Sequence, residues 1–189
     1  MLNRISKMPG TMLLIIAWIV ICCLVKAKDV APTLSGKGIS HMGKEYYRFF
    51  TAGLTHTNLI HLIVNVCAMF WIGWLYEQQL GSIKFMSVGI ICAVVTQIIF
   101  LCIYRNTTDS VGGSAYCFAL CGLGLAMQWM VPDFPRLQFG TWSGSWLIIY
   151  LILSNIPVFS FINVTTIIFH LVAFVFGILA AALCRLLRI

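Results

Sequence analysis

The residues of this chain that could act together chemically are Ser114, which follows Gly112 and Gly113, then His170, and the pair His61 and Asn65. An imidazole within hydrogen-bond reach of a serine hydroxyl takes its proton and turns the oxygen into a nucleophile toward a carbonyl carbon. The oxyanion that develops needs donors, and a helix N-terminus carrying the Ser114 backbone N–H, together with His61 and Asn65, can supply them. The glycines free the backbone angles and let a substrate come close. The five acidic residues are Asp29, Glu45, Glu77, Asp109 and Asp133, none of them well inside an apolar run. A buried Ser–His–Asp triad is therefore not expected, and a two-residue Ser–His arrangement remains. Each polar group also has a plainer use. An isolated His or Asn in an apolar helix often links helices through a hydrogen bond worth about 0.6 to 2 kcal/mol, and Ser114 can cap the helix that follows it.

The elements that must position these groups are membrane spans. The 189 residues are 61% hydrophobic and 9% charged, with a mean hydropathy of +0.99, which points to a polytopic membrane protein. Apolar runs recur to the last residue, unlike a secretory signal followed by a polar domain, so the first run is expected to remain as a helix. The net charge of +7 comes from 12 Lys and Arg scattered singly. That pattern fits topology and lipid headgroups and gives no stripe for nucleic acid, which is not expected as a partner. Eight cysteines lie almost entirely in apolar runs without paired zinc spacing, and are expected to be free, with no metal.

A span needs about 20 mostly apolar residues, and six segments qualify: 11–25, 59–76, 83–104, 114–131, 142–161 and 165–187. The whole chain, 1–189, reads as one transmembrane domain. Residues 26–58 form a long aromatic connection containing "GKEYYRFFTAGLTHTN", expected to lie in the membrane interface. Six spans put both termini on one side. Arg4, Lys7, Lys84, Arg136, Arg185 and Arg188 favour the cytoplasm, against a competing set of Lys26, Lys28, Lys37, Lys44 and Arg48 in the first loop. A bacterial cytoplasmic membrane with both termini inside is the expectation.

Alternate spans run the same way, so the second, fourth and sixth begin at one membrane face. Their first turns hold His61 and Asn65, then Ser114, then His170. Polar groups inside spans are costly and tend to face the bundle interior or a water-filled cavity. Ala173, Gly177 and Ala181 repeat every four residues beside His170, and Ala115, Ala119, Gly122 and Ala126 form a similar stripe beside Ser114. Small residues at that spacing let backbones approach, which should bring Ser114 and His170 within hydrogen-bond reach.

From about position 46 to 182 these motifs resemble the rhomboid family of intramembrane serine proteases. "GGSAYCFALCG" is similar to its G-x-S-G/A motif, aligning Ser114 with the nucleophile. "HTNLIHLIVN" resembles its H-x-x-x-x-H-x-x-x-N element, matching His56, His61 and Asn65. "HLVAFVFG" resembles its H-x-x-G-x-x-x-G element, matching His170 with the general base and Gly177 with the second glycine. "YEQQLGS", with Glu77 and Gly81, and "YYRFF", with Tyr47 and Arg48, fit the end of its second helix and the W-R pair of its first loop. The resemblance implies an all-α bundle of six transmembrane helices with a long interfacial first loop. It also implies a water-accessible cavity open to the non-cytoplasmic face, cleavage of other proteins' transmembrane segments near that face, and no cofactor. The chain departs from the pattern at Ala115, at Ala173, at Tyr47, and at Phe118, where a tyrosine often stacks on the histidine. A catalytically inactive rhomboid-like protein that binds transmembrane clients is the rival, disfavoured by retention of Ser114 and His170. A transporter would show an inverted repeat and broken helix pairs, and a membrane metalloprotease an H-E-x-x-H element; neither is evident.

Overall fold

A computed structural model describes residues 2–28, 31–107, 109–157 and 163–187. Asp29 and Arg188, used above, lie outside them. Three of the long helices begin at a residue whose side chain caps them. The Asn58 Oδ1 accepts from the His61 N–H at 2.8 Å, the Thr141 Oγ1 from the Gly144 N–H at 3.0 Å, and the Asn163 Oδ1 from the Thr166 N–H at 2.9 Å, each satisfying a donor that a helix start leaves open. The long helices are α1 (Pro9–Lys28), α2 (Leu59–Leu80), α3 (Ser82–Ile103), α4 (Ser114–Met130), α5 (Trp142–Leu153) and α6 (Val164–Leu186). Gly81, at φ +78°, turns α2 directly into α3, a backbone angle that suits glycine.

The start of helix α1 is capped from a distance by Glu77, near the end of α2. Its Oε1 accepts from the Gly10 N–H at 2.7 Å, and its Oε2 from the Thr11 N–H at 2.8 Å and the Thr11 hydroxyl at 2.5 Å. The carboxylate is fully buried, so α1 and α2 are joined by charge-assisted bonds away from water.

Among the described residues, four helices are long and apolar enough to cross a membrane: Pro9–Lys26 within α1, and α2, α3 and α6. The expectation of six comparable spans holds only in part, because α4 has 17 residues and α5 has 12. At 1.5 Å per residue these cover about 26 and about 18 Å of a hydrocarbon core about 30 Å thick. Helix α5 stops at Leu153 instead of continuing to 161, and residues 158–162 lie outside the described ones. Its end is set by Pro157, which has no N–H for the Leu153 carbonyl and would clash with it in a continuing helix. The Asn155 Nδ2 also donates to the Leu151 carbonyl at 2.7 Å, an acceptor that a continuing helix would use. Helix α4 is enclosed by its neighbours, with every residue from Ser114 to Gly124 buried. An interior helix has no lipid-facing length to match.

The small-residue stripes do meet. A Cβ on Gly177 would collide with the Ala119 carbonyl oxygen, and one on Gly122 with the Phe174 carbonyl oxygen, so α4 and α6 pack backbone to backbone in the most extensive helix contact of the fold. Large apolar residues such as Leu13, Ile91, Leu171 and Leu179 point outward, as lipid-facing positions do.

The first loop is folded rather than floppy. It contains the one-turn helices Ala31–Leu34, Ile39–Met42 and Arg48–Thr51, and a 3-10 turn, Ala52–Leu54. Arg48 is buried and donates to the Pro32 and Ser35 carbonyls at 2.9 and 2.7 Å and to the Glu45 Oε2 at 2.9 Å. That hydrogen bond, first of all, lowers the Glu45 carboxyl below its ordinary range. Gly36 exchanges backbone bonds with Ser110, Gly38 donates to Thr107 and Ser40 to Arg105. The loop is thereby fastened to the connection that leads into Ser114.

Candidate active site

Ser114 opens α4 from a turn that only glycine can make. Gly112 has φ +134°, and a Cβ there would lie 2.8 Å from the His61 ring. A Cβ on Gly113 would run into the indole of Trp18 on α1. The turn is also tied down by its donors. The Gly112 N–H donates to the Ala52 carbonyl at 3.1 Å, and the Gly113 N–H to the His56 Nε2 at 3.3 Å. His56 therefore braces the turn, and Ala52 links it to the first loop.

His61 stands beside the serine. The point where a Gly112 Cβ would sit is 2.9 Å from the His61 Nε2 and 3.8 Å from the Ser114 Oγ, so both atoms border one small space. The other ring nitrogen, Nδ1, is 3.1 Å from the Thr57 hydroxyl, and His56 packs edge-on at 5.1 Å between centroids.

One turn along α2, Asn65 is 1% exposed. Its Oδ1 accepts from the Tyr150 hydroxyl of α5 at 3.0 Å, and its backbone carbonyl lies 3.7 Å from the Cys117 Sγ. Its Nδ2 has no partner, one of three such buried side-chain atoms among the described residues with Trp18 Nε1 and His56 Nδ1. A buried amide whose oxygen is engaged and whose N–H2 is unspent is suited to an incoming acceptor.

His170 reaches α4 from α6. Its ring lies flat on Phe118, with centroids 4.1 Å apart and planes 9° from parallel, and Phe118 is one helical turn after Ser114 on the same face. The replacement of tyrosine by Phe118 thus keeps the stack. Ala173 and Gly177 continue the contact along α6, both buried. No hydrogen bond joins Ser114 to His170 among the described residues. The edge of the imidazole is instead held by α5, with Nδ1 3.2 Å from the Asn155 Oδ1.

His56, His61, Asn65, Gly112, Gly113, Ser114 and His170 are therefore gathered at one end of the bundle. Arg48 serves the first loop, while Glu77 and Gly81 lie at the far end of α2. Tyr150 and Asn155 belong to the site and were not expected. The available signal was a polar residue inside the run assigned to the fifth span. Ser114 and His170 are 7% and 5% exposed, so the site is closed, in contrast to the water-accessible cavity that was anticipated. A cavity of about 220 Å³ lies at the opposite end of α4, beside Lys84, Met127 and Asp133. Among the described residues no three His, Cys, Asp or Glu side chains form a metal-holding group.

Comparison with known proteins adds a family and two relatives. A family model described as "Rhomboid domain" matches residues 43–186. The chain is 29% identical over 111 residues to "RHOMBOID-like protein 7" of Arabidopsis thaliana, covering 54% of this chain and 35% of that protein. It is 25% identical over 108 residues to "Inactive RHOMBOID-like protein 8" of the same plant, covering 50% and 30%. The matched region is thus about a third of the length of these curated relatives.

Proposed function

The chain belongs to the rhomboid family, and from that membership we propose that it is an intramembrane serine endopeptidase that hydrolyses peptide bonds in or near transmembrane segments of other proteins. Ser114 is the nucleophile and His170 the general base. The observation that carries this reading is the convergence on the first turns of α4: His61 beside Gly112, Asn65 beside Cys117, and His170 on Phe118. In the reaction the Ser114 Oγ bonds to the substrate carbonyl carbon while the His170 Nε2 takes its proton. The oxyanion is met by the Ser114 N–H, the free Asn65 Nδ2 and His61. The C–N bond then breaks, the leaving amine receives the proton, and water repeats the sequence on the acyl-enzyme. No cofactor is required.

Substrate must be unwound at the bond to be cut, since a membrane helix hides its carbonyls in its own hydrogen bonds. The buried serine requires an opening through which substrate and water enter. The charge pattern supports cytoplasmic termini in a cell membrane, with the bilayer as the protein's surroundings.

The alternative is a catalytically inactive family member that binds transmembrane clients. It is favoured by the absence of a Ser114–His170 hydrogen bond among the described residues and by a relative whose name carries "Inactive". The two are separated by a transmembrane reporter cleaved by the purified protein in lipid vesicles. The protease reading expects a product that disappears in both Ser114→Ala and His170→Ala; the client-binding reading expects none in any of the three.

A further inference from the structure

We infer that Asn155 is the positioning residue that fixes the tautomer of His170, filling the third place for which the sequence offers no carboxylate. The inference rests on the proposed role of His170 as general base. It follows from the hydrogen-bond inventory of a carboxamide, which has one accepting oxygen and one donating nitrogen.

The Asn155 Nδ2 donates to the Leu151 carbonyl at 2.7 Å. Exchanging oxygen and nitrogen would set two acceptors against each other there, so the orientation of the amide is determined by its own helix. The Asn155 Oδ1 must then face His170, and it carries no proton. An imidazole Nδ1 at 3.2 Å from that oxygen makes a hydrogen bond only as the donor, Nδ1–H. In a neutral ring the lone pair is then on Nε2, the nitrogen a general base needs.

The surroundings keep this arrangement in register. The Asn155 backbone N–H donates to the Ile152 carbonyl at 3.0 Å, so the residue belongs to the closing turn of α5 and is not a free loop side chain. Phe118 covers one face of the imidazole, and its edge meets the Asn155 Oδ1 with the Ser154 backbone beside it. A half-turn of the ring about its Cβ–Cγ bond would keep the stack on Phe118 and lose the bond to Asn155, so Asn155 rather than Phe118 distinguishes the two nitrogens.

During the reaction the Nδ1–H stays in place. Nε2 takes the Ser114 proton as the Oγ–C bond forms and gives it to the leaving amine as the C–N bond breaks. Asn155 touches neither substrate nor the reacting atoms. As a neutral acceptor it orients the imidazolium without supplying the full charge of an aspartate.

The test uses the full chain in lipid vesicles. Asn155→Leu removes the acceptor and should lower kcat on a transmembrane reporter on the order of 10- to 100-fold, as loss of an orienting partner typically does, with KM changed less than about twofold. Asn155→Asp restores an acceptor and should recover most of kcat. A tautomer measurement needs no turnover: nitrogen NMR of histidine-labelled Ser114→Ala protein, with His170 assigned by its loss in the Ser114→Ala/His170→Ala double variant. It should show Nδ1–H with Asn155 present and a shift toward Nε2–H in Asn155→Leu. An Nε2–H ring with Asn155 present, or a ring unchanged by Asn155→Leu, overturns the inference, as does an unaltered kcat in Asn155→Leu. If the unmodified protein cleaves nothing, the protease reading falls and the tautomer alone decides the role of Asn155.

Discussion

At the scale of residues, the candidate site gathers buried polar groups whose hydrogen bonds are only partly spent. Asn65 has its oxygen engaged by Tyr150 and a buried N–H2 without a partner. Asn65→Ala is expected to lower kcat about 10²-fold or less, as for other oxyanion donors. Tyr150→Phe should lower it by a smaller factor, about three- to tenfold, the worth of one hydrogen bond of about 0.5–1.5 kcal/mol. Unchanged kcat in Asn65→Ala removes that residue from the oxyanion site. His56, in the stretch before α2, provides a pH test. Burial first, and the charge of His61 second, push its imidazole down to about 3 from 6.5. The unfolded chain takes up this proton below about pH 6.5 while the folded one does not. Stability is therefore complete above that pH and falls as acid is added through the window down to about 3. A protonated His56 also loses the Nε2 that accepts from Gly113. The unfolding temperature in micelles should drop between pH 7 and pH 5, and drop less in His56→Gln; an equal drop in both assigns the effect elsewhere. Ser114, His170, His61 and Asn65 were legible in the sequence because polar groups stand out in apolar helices. Tyr150 and Asn155 were not, because either residue is equally at home facing a headgroup, and only the approach of α5 to α2 and α6 gives them partners.

At the scale of elements, helix lengths and joints set the depth and orientation of these groups. The small stripes on α4 and α6 could be read from the sequence, since spacing by four defines one helix face. The length of α5 is masked by hydropathy, which continues past Leu153. The stop is Pro157, inside the same apolar run, which cannot bond the carbonyl four residues before it, with the Asn155 side chain returning to the Leu151 carbonyl. The cap on α1 was equally hidden, because Glu77 is remote in sequence from Gly10 and Thr11. Glu77→Ala leaves those two N–H groups buried without acceptors, at about 1–3 kcal/mol each. Its unfolding temperature should fall clearly below that of the unmodified protein, while the reporter is still cleaved by the fraction that remains folded. Unaltered stability means that α1 is not held by this joint. The packing of Trp18 on Gly113 makes the position of α1 relevant to the turn before Ser114.

At the scale of the whole molecule, a bundle with outward-facing apolar helices encloses the candidate site, whose Ser114 and His170 are both buried. Residues 43–186 carry the family match, and that region includes the site and all of α2 to α6. Helix α5 is the shortest of the long helices, yet it touches both the proposed oxyanion donor through Tyr150 and the proposed base through Asn155. The measurement that tests the central claim most directly is labelling by a serine-directed fluorophosphonate, which reacts only with an activated hydroxyl and does not depend on finding a substrate. The account predicts one labelled serine in the unmodified protein, and no label in either Ser114→Ala or His170→Ala protein that remains folded. A folded, unmodified protein that takes no label, or a label that persists in Ser114→Ala, contradicts it.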